Sequence, residues 1–350
     1  MTMLLSRSGA VRETEDSVVA WHYGDPLREQ RLLATTGALV DRGDRDVLTV
    51  SGPDRLTWLH SLTTQHLLEL GDELGAELTV LSPQGRVEHH AVVFHDAGNG
   101  VVWLDTEPGA GAGLREFLTK MRFFSQVEIA DVSAEFGLLT YTGPYARPAP
   151  DVLDVPGPKF PSGTLPARPS TVYAGCGTPE GGFERRTDAL GFVTVDRMIP
   201  RSELERELEA ASLDKLPPAG MWAYDTLRIP ALRPRVGVDT DDKTIPHETP
   251  SLLRAAVHLD KGCYRGQETV ARVHNMGKPP RRLAMLHLDG TQEQAPPPGT
   301  EVKLATRTVG VLGTASRHYE DGMIALALLR RNVADDPKAE LTAAGMAARQ

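Results

Sequence analysis

The sequence predicts an α+β protein of two to three structural units that ends in a small antiparallel β-barrel or sandwich. Three observations lead to this prediction. The chain has 350 residues, and at ~150 residues per domain this length suggests more than one core. Strand-like apolar runs and one-sided helical segments alternate between residues 46 and 142. From Arg281 onward, short apolar strands alternate with Gly/Pro turns.

The first half of the chain contains the clearest local signals. Ser51-Gly52-Pro53-Asp54 is typical of a helix entry, and the leucines that follow recur at three-residue spacing. Ser82-Pro83-Gln84-Gly85 places Pro and Gly where a hairpin turn favours them. Apolar residues at 114, 117, 118, 121 and 124 mark one face of a helix. Strands are predicted over 46–50, 78–81, 87–94, 101–104, 127–130 and 137–142.

The amino-acid composition changes in the middle of the chain. Residues 144–170 carry eight prolines, which predicts an irregular crossing between lobes. A strand is predicted over 191–195, and Ser202 with Glu205 forms a capping-box pattern that would open a helix. The last strands are predicted over 284–288, 301–304, 309–313 and 323–329.

We expect five parts along the chain: an irregular N-terminal segment, a central α+β lobe built from two separate stretches, a middle lobe, a C-terminal barrel and a tail. Their predicted ranges are 1–30, 31–143 with about 220–278, 144–219, 279–335 and 336–350.

Composition excludes several classes of protein. Lys plus Arg number 38 against 47 Asp plus Glu, so the net charge of −9 excludes nucleic-acid binding by bulk electrostatics. No run approaches the ~18 apolar residues of a membrane span, and we see no secretory signal. Two cysteines fall short of a disulfide scaffold or a four-cysteine cluster site, so we predict no metal site and a cytoplasmic protein.

The segment Asp260–Glu268, with the sequence Asp-Lys-Gly-Cys-Tyr-Arg-Gly-Gln-Glu, carries the strongest chemical signal. Cys263 stands between Lys261 and Arg265, each two residues away, so in an extended chain both cations point to the side of the sulfur. Nearby cations favour a thiolate over a thiol. The alternative is that Cys263 is a small buried residue, as most free cysteines are.

The Lys-Gly-Cys-Tyr-x-Gly-Gln-Glu string resembles the signature of the YgfZ family, folate-binding relatives of the glycine-cleavage T-protein, an aminomethyltransferase. The resemblance covers about residues 35–330 and is weakest in the Pro-rich middle. Further segments that resemble the family are Leu48–Leu59, Pro83–Val87, Tyr224–Ile229, Ile245–Glu248 and Val270–Val273.

The resemblance implies a three-lobed T-protein-like fold around a central opening, ending in an antiparallel β-barrel. It implies that tetrahydrofolate, or a one-carbon derivative, binds in that opening. The implied role is the assembly or repair of iron–sulfur enzymes, with a connection to tRNA modification. Cys263 corresponds to the functional cysteine of the signature and Lys261 to the lysine before it, and we take both as catalytic candidates.

Basic segments in this acidic chain suggest where an anionic folate tail would bind. Arg228, in the Leu-Arg-Ile string, is the best single candidate for a ligand contact or a central ion pair. Glu248 would hold that arginine or accept a hydrogen bond from a pterin amine, and a purely structural Arg–Glu pair is an equal alternative. The candidate cofactor-binding residues are Arg228, Glu248, His90, Tyr264, Gln267, Glu268 and Arg272.

The strand after the hairpin departs from the aminomethyltransferase pattern. The resemblance places His90 where those enzymes have a catalytic aspartate, and no aspartate occurs between residues 85 and 94. Glu88 and His90 share one face of the strand and would form a carboxylate–imidazole pair. The alternative is a solvated strand face. Whether the chain is an enzyme therefore stays open.

Three hypotheses follow. The leading one is a folate-binding accessory protein for iron–sulfur enzymes or their assembly factors, with a reactive Cys263 beside the pocket. The first alternative is a folate-dependent one-carbon transferase of the aminomethyltransferase type. The second is a non-catalytic adaptor that binds protein or tRNA through the basic segment 272–282.

Overall fold

A computed structural model describes residues 3–143, 173–213 and 216–350. The Pro-rich stretch 144–170, and with it the predicted crossing between lobes, lies outside the described residues. Within the described part the chain folds into an α+β structure with three sheets, one of them a closed barrel. The fold class predicted from the sequence is therefore confirmed.

One open sheet has six strands, in the order β11-β1-β7-β10-β9-β8. It draws strands from distant parts of the sequence, and α1 (Pro26–Thr35) and α5 (Met221–Leu227) pack beside it. Asp25 opens α1 by accepting a 3.0 Å hydrogen bond from the amide of Arg28. The strands are β1 (Leu39–Asp41), β7 (Phe136–Tyr141), β8 (Gly175–Gly177), β9 (Phe183–Thr187), β10 (Thr194–Pro200) and β11 (Pro218–Ala219).

The second open sheet has five strands, in the order β3-β4-β5-β2-β6. Helices α2 (Arg55–Leu62) and α3 (Gly111–Lys120) cover one face with Trp58, Leu59, Leu114 and Leu118. The other face meets the six-stranded sheet, where Phe94 and Phe183 stack with ring centroids 4.3 Å apart. The strands are β2 (Asp46–Ser51), β3 (Leu74–Leu81), β4 (Val87–Asp96), β5 (Val101–Thr106) and β6 (Glu128–Asp131).

The predicted hairpin joins β3 to β4, and Gly85 closes its turn with a 2.9 Å bond to the carbonyl of Ser82. Gly85 has a φ of 79°, a left-handed conformation that glycine adopts without strain. Three short helices follow the open sheets: α4 (Leu204–Leu213), α6 (Pro250–Ala256) and α7 (Gln267–Met276). Two of them, α6 and α7, flank the cysteine segment.

The C-terminal strands form a closed antiparallel barrel, in the order β12-β15-β14-β13-β16-β17. Closure leaves the barrel without a free edge, and alternating apolar residues fill its interior. A short helix, α8 (Arg331–Ala334), covers one end. The strands are β12 (Arg281–Leu288), β13 (Glu301–Leu304), β14 (Arg307–His318), β15 (Gly322–Arg330), β16 (Leu341–Ala343) and β17 (Met346–Arg349).

Several predicted boundaries are wrong. The predicted tail, 336–350, supplies β16 and β17, because the barrel needs two more strands to close. Helix α1 begins at Pro26, inside the segment predicted to be irregular. Strands β1 and β7, assigned to the central lobe, pair with strands β11 and β10 instead.

The capping box at Ser202 is absent, because Arg201–Glu203 forms a 3₁₀ turn before α4. The strand predicted at 191–195 is β10.

Candidate functional site

A recess lies where the two open sheets meet the segment after α5. Val92, Pro108, Ala189, Met221, Tyr224 and Pro234 supply its apolar wall. The remaining lining side chains are polar or charged: Arg42, Asp44, Arg45, His90, Glu107, Asp225, Arg228, Arg233 and Arg235. The recess is therefore an amphipathic site with many charged groups around it.

The charged groups around the recess form an interlocking network. Six arginines and six carboxylates are joined by ion pairs, mostly buried, so the network is balanced in charge. Each buried cation needs such a partner because desolvation of an isolated charge is costly. The pairs are Arg42–Asp196, Arg45–Asp105, Arg45–Glu107, Arg185–Asp105, Arg185–Asp196, Arg228–Asp225, Arg228–Asp239, Arg233–Glu77, Arg235–Glu107 and Arg235–Asp225.

Glu107 shows how strongly this network favours the charged forms. Burial alone would raise the pKa of Glu107, but Arg45 and Arg235 lower it to about 2. Its two oxygens lie 3.1 Å from Arg45 Nη1 and 2.7 Å from Arg235 Nε. Glu107 therefore stays ionised across the physiological range and fixes both guanidinium groups at the rim of the recess.

His90 lines the recess but does not pair as we predicted. Its Nε2 lies 3.0 Å from Oε2 of Glu77, which is 1% exposed on the neighbouring strand β3. Glu88, the predicted partner, instead accepts a 2.9 Å hydrogen bond from Arg265. A register shift in the β3–β4 pairing falls at Glu88, so residues 88 and 90 do not share a face, and Glu77 on β3 reaches the imidazole instead. The recess therefore holds a buried carboxylate–imidazole pair of different composition.

Arg228 lines the recess, and its guanidinium is already occupied. It donates to Asp225 at 2.9 Å and to Asp239 at 2.6 Å, and it is 3% exposed. Glu248 does not contact it, because Arg281 takes both Glu248 oxygens at 2.8 Å. The predicted Arg228–Glu248 pair is therefore wrong. Arg228 joins α5 to β14 through Thr314, and it acts as a structural centre beside the recess.

Lys261 turns away from the thiol that it was predicted to flank. Its Nζ donates to the carbonyl oxygens of His60 at 2.5 Å, Thr63 at 2.6 Å and Gln65 at 3.1 Å. These carbonyls lie at and just beyond the C-terminal end of α2, where backbone acceptors lack partners in the helix. Burial lowers the pKa of Lys261 to about 8, while the three carbonyls favour its charged form.

Cys263 is exposed, so the alternative that it is a small buried residue is wrong. Arg265, the other predicted flanking cation, is held by Glu88, and its guanidinium carbon lies 5.6 Å from the ring centroid of Phe117. Neither Cys263 nor Lys261 is among the described residues that line the recess. The segment thus presents a thiol at the surface while its neighbours are anchored.

The other candidate cofactor residues also lie outside the recess lining. Tyr264 is buried under the ammonium of Lys261, and its amide donates to Gln267 at 3.1 Å. Glu268 and Arg272 are exposed on α7. Of the nine candidate site residues, the structure brings only His90 and Arg228 to the recess.

Asp44, Glu77 and Glu107 are missing from the candidates derived from the sequence. Asp44 lies in a charged Arg-Gly-Asp-Arg turn. For Glu77, the one feature of the sequence that could have indicated a site is a lone glutamate on a strand face. Within the described residues, no cluster of His, Cys, Asp and Glu could hold a metal ion, and no helix is long and apolar enough to span a membrane.

Comparisons with known proteins agree on the fold and the family. Residues 281–349 match the family described as "CAF17, C-terminal beta-barrel domain". The aminomethyltransferase T of the glycine cleavage system from Bartonella henselae is 17% identical, covers 99% of this chain and 94% of its own, and superimposes with a TM-score of 0.81. The "tRNA-modifying protein YgfZ" of Cronobacter sakazakii is 26% identical over 88% of both chains. The chain is therefore similar to YgfZ proteins over most of its length, and these findings support the family that the cysteine segment predicts.

Other proteins that are similar to this chain carry the names of transferases. An aminomethyltransferase of Moorella thermoacetica is 25% identical, over 88% of this chain and 82% of its own. A chloroplastic protein of Arabidopsis thaliana that carries the name of a transferase is 27% identical over 78% of this chain. The match spans 60% of the length of that plant protein.

Proposed function

We propose that this chain binds tetrahydrofolate, or a one-carbon derivative, in the central recess and supports assembly or repair of iron–sulfur enzymes in the cytoplasm through Cys263. One observation carries the proposal: the Cys263 side chain is exposed, whereas Lys261 and Tyr264 beside it are buried. Free cysteines are usually buried. A loop that is anchored on both sides of an exposed thiol is suited to reaction with a partner protein.

The recess suits a ligand of this kind in the chemistry of its lining. Met221 and Tyr224 offer apolar surface to a flat ring, and Arg235, with 26% of its side chain exposed, offers a cation to a carboxylate tail. When bound, tetrahydrofolate would carry a one-carbon unit on its ring nitrogens. The chain would orient the ring and its tail and exclude water from one face.

The names of similar proteins also support the proposal. Two of them are a "tRNA-modifying protein YgfZ" and an aminomethyltransferase, and both match most of this chain. The first name is consistent with a role for this chain in supporting iron–sulfur enzymes that modify tRNA. A one-carbon ligand is consistent with the second.

Calorimetric titration with reduced tetrahydrofolate under anaerobic conditions tests the ligand. Ala189 lines the recess on a turn and is partly exposed, so Ala189→Phe would place a large ring in the recess. We expect micromolar binding by the wild type, a loss of at least about tenfold in Ala189→Phe and no change in the matched Ala189→Ser. Equal binding by all three proteins would exclude the recess.

Complementation tests the thiol. In cells that lack this protein, we would measure the activity of an iron–sulfur enzyme that modifies tRNA. Wild type and Cys176→Ser should restore that activity, whereas Cys263→Ser should not. Cys176 is the matched control because it is also exposed. Full rescue by Cys263→Ser would exclude a thiol mechanism.

A second candidate is one-carbon transfer, and the buried His90–Glu77 pair at the recess favours it. An imidazole that a carboxylate orients is suited to accept a proton from the substrate during group transfer. Turnover with an aminomethyl-lipoyl carrier protein would support this candidate, provided that His90→Ala lowers the rate. The absence of turnover would exclude it.

The adaptor alternative has less support. Arg281 is paired with Asp241 and Glu248, and Arg282 lies 3.3 Å from Asp335, so two cations of the segment 272–282 are already neutralised. Arg272 is exposed and remains the best candidate for RNA contact there. Salt-sensitive retention of tRNA that Arg272→Ala reduces would favour this alternative.

A further inference from the structure

One carboxylate at the recess, that of Asp44, does not belong to the balanced network of ion pairs. Asp44 lines the recess but forms no ion pair within the described part of the chain, and its Oδ1 is buried without a hydrogen-bond partner. A buried polar atom without a partner is destabilising. Burial raises the pKa of Asp44 against the opposing effect of Arg42 and Arg45. An acceptor in this position needs a donor that the described chain does not provide.

A matching donor without a partner lines the same recess. Arg233 donates through Nη2 to Glu77, but its buried Nη1 has no hydrogen-bond partner among the described residues. Native proteins satisfy the great majority of such atoms. The recess therefore presents one buried acceptor and one buried donor, at Asp44 and Arg233, that a bound molecule could satisfy together.

A second cavity adjoins the recess at Asp44 and enlarges the available space. It holds about 270 Å³, close to the ~300 Å³ at which small-molecule sites begin. Its outer wall is the N-terminal strap, residues 13–21, and it shares part of the recess lining. The shared residues are Asp44, Pro108, Met221, Asp225 and Arg235.

Specific contacts to α5 anchor the C-terminal end of the strap. The amides of Met221 and Trp222 donate to the carbonyls of Ala20 and Trp21 at 2.9 and 3.0 Å, and the rings of Trp21 and Trp222 stack at 5.9 Å. Upstream of Ala20 the strap is mostly exposed. Asp44, on the turn between β1 and β2, thus lies where the recess meets the strap cavity.

We infer that Asp44 and Arg233 recognise a flat heterocycle that carries both N–H donors and a carbonyl or ring-nitrogen acceptor. The N–H groups would donate to Asp44, and the acceptor would take the free N–H of Arg233. This inference rests on the proposed function, because the pterin ring of tetrahydrofolate has both kinds of group. It assigns the ring to the inner recess and the strap cavity, and it assigns recognition to residues outside the cysteine segment.

Two fragments separate the parts of the ligand in the test. 6-Methyltetrahydropterin carries only the ring, and p-aminobenzoylglutamate carries only the tail. Asp44→Asn keeps the volume and removes the carboxylate. Asp16→Asn is the matched control, since Asp16 lines the same strap cavity but is exposed.

We expect Asp44→Asn to weaken binding of tetrahydrofolate and of the ring fragment by about 10- to 100-fold, because the ring donors lose a charged acceptor. Binding of the tail fragment and binding by Asp16→Asn should not change. Glu77→Gln/Arg233→Gln, which removes that ion pair without leaving a lone charge, should also weaken only the ring fragment. Thermal melting without ligand checks that each variant is folded.

The outcomes are distinguishable. Wild-type binding of tetrahydrofolate that Asp44→Asn leaves unchanged would overturn this inference and leave the proposed function intact. A failure of the wild type to bind tetrahydrofolate would overturn the proposed function, and the inference with it. Weakening of the tail fragment together with the ring fragment would also overturn the inference, because it would indicate a general disturbance of the recess.

Discussion

The ammonium of Lys261 and the thiol of Cys263, two residues apart in the chain, face opposite environments. Nζ of Lys261 is buried against three carbonyl oxygens of the α2 end, and the cysteine side chain is in solvent. Lysine thus anchors the segment, and the thiol is what the segment presents. The two residues therefore have different roles, and a shared catalytic role would not produce this arrangement.

Lys261→Met should therefore lower stability. The substitution keeps the aliphatic stem but leaves the carbonyls of His60, Thr63 and Gln65 without their donor. We expect the free energy of unfolding in urea to fall by about 2–3 kcal/mol. Lys243→Met, at an exposed lysine, is the control and should stay within ~0.5 kcal/mol. A Lys261 variant as stable as this control would contradict the anchoring role.

Arg281→Ala should lower stability by breaking the ion pairs that hold the barrel to the preceding part of the chain. Arg281 begins β12, and it clamps Asp241 at 2.6 Å and the 1% exposed Glu248 at 2.8 Å. Its loss leaves a buried carboxylate unpaired, which we expect to cost about 3 kcal/mol. The adjacent Arg282→Ala removes a pair that is about 40% exposed on both sides and should cost at most ~1 kcal/mol. Similar urea midpoints for both variants would refute this difference.

Local patterns predict much of this fold. The hairpin turn at Ser82–Gly85, the entry to α2 and most barrel strands follow from neighbouring residues, so the sequence alone is sufficient for them. The closure of the barrel was harder to predict. Strands β16 and β17 are only three and four residues long, and they complete a structure whose other strands come earlier in the chain. Short strands carry little periodicity, and only the unpaired edges of the sheet require them.

The site is harder to predict, for a related reason. The cysteine segment is recognisable because its residues are contiguous. The partners of buried charges are not: Arg233 meets Glu77 across 156 positions, and Arg45 meets Asp105 across 60. Proximity in sequence suggested pairing of Glu88 with His90, and tertiary contacts assigned different partners to both. Which charge is left unpaired, as at Asp44, depends on all these pairings at once.

Stability should decrease in mild acid, with His247 as one source. Both ring nitrogens of His247 are buried without hydrogen-bond partners among the described residues, and burial, with a contribution from His274, lowers its pKa to about 4. The unfolded chain binds this proton near pH 6.5, so the unfolded state holds more protons between pH 6.5 and 4. Stability is therefore retained above pH 6.5 and lost as the pH falls towards 4.

Urea unfolding at pH 7.5 and pH 5.0 measures this effect. His247→Leu should show a smaller loss between the two pH values than the wild type. Part of the loss should persist, because burial also lowers the pKa of His60 to about 4 and lowers the pKa of His258. An equal loss in wild type and variant would mean that His247 does not titrate in this range.

The packing of the hairpin on the cysteine segment gives the sharpest mutational test. Gly266 has a φ of 80°, and a Cβ there would lie 2.5 Å from the carbonyl oxygen of Ser82 and 3.0 Å from Cα of Gly85. Gly266→Ala must therefore adopt a left-handed backbone and also displace the hairpin turn. We expect a loss of about 2–5 kcal/mol, from backbone strain of ~1–2 and overpacking of ~1–3 kcal/mol. Gly237, with a φ of 91° and open space around it, isolates the strain, so Gly237→Ala should cost only ~1–2 kcal/mol. Equal losses in the two variants, measured by urea unfolding, would mean that the hairpin does not hold the segment that presents Cys263.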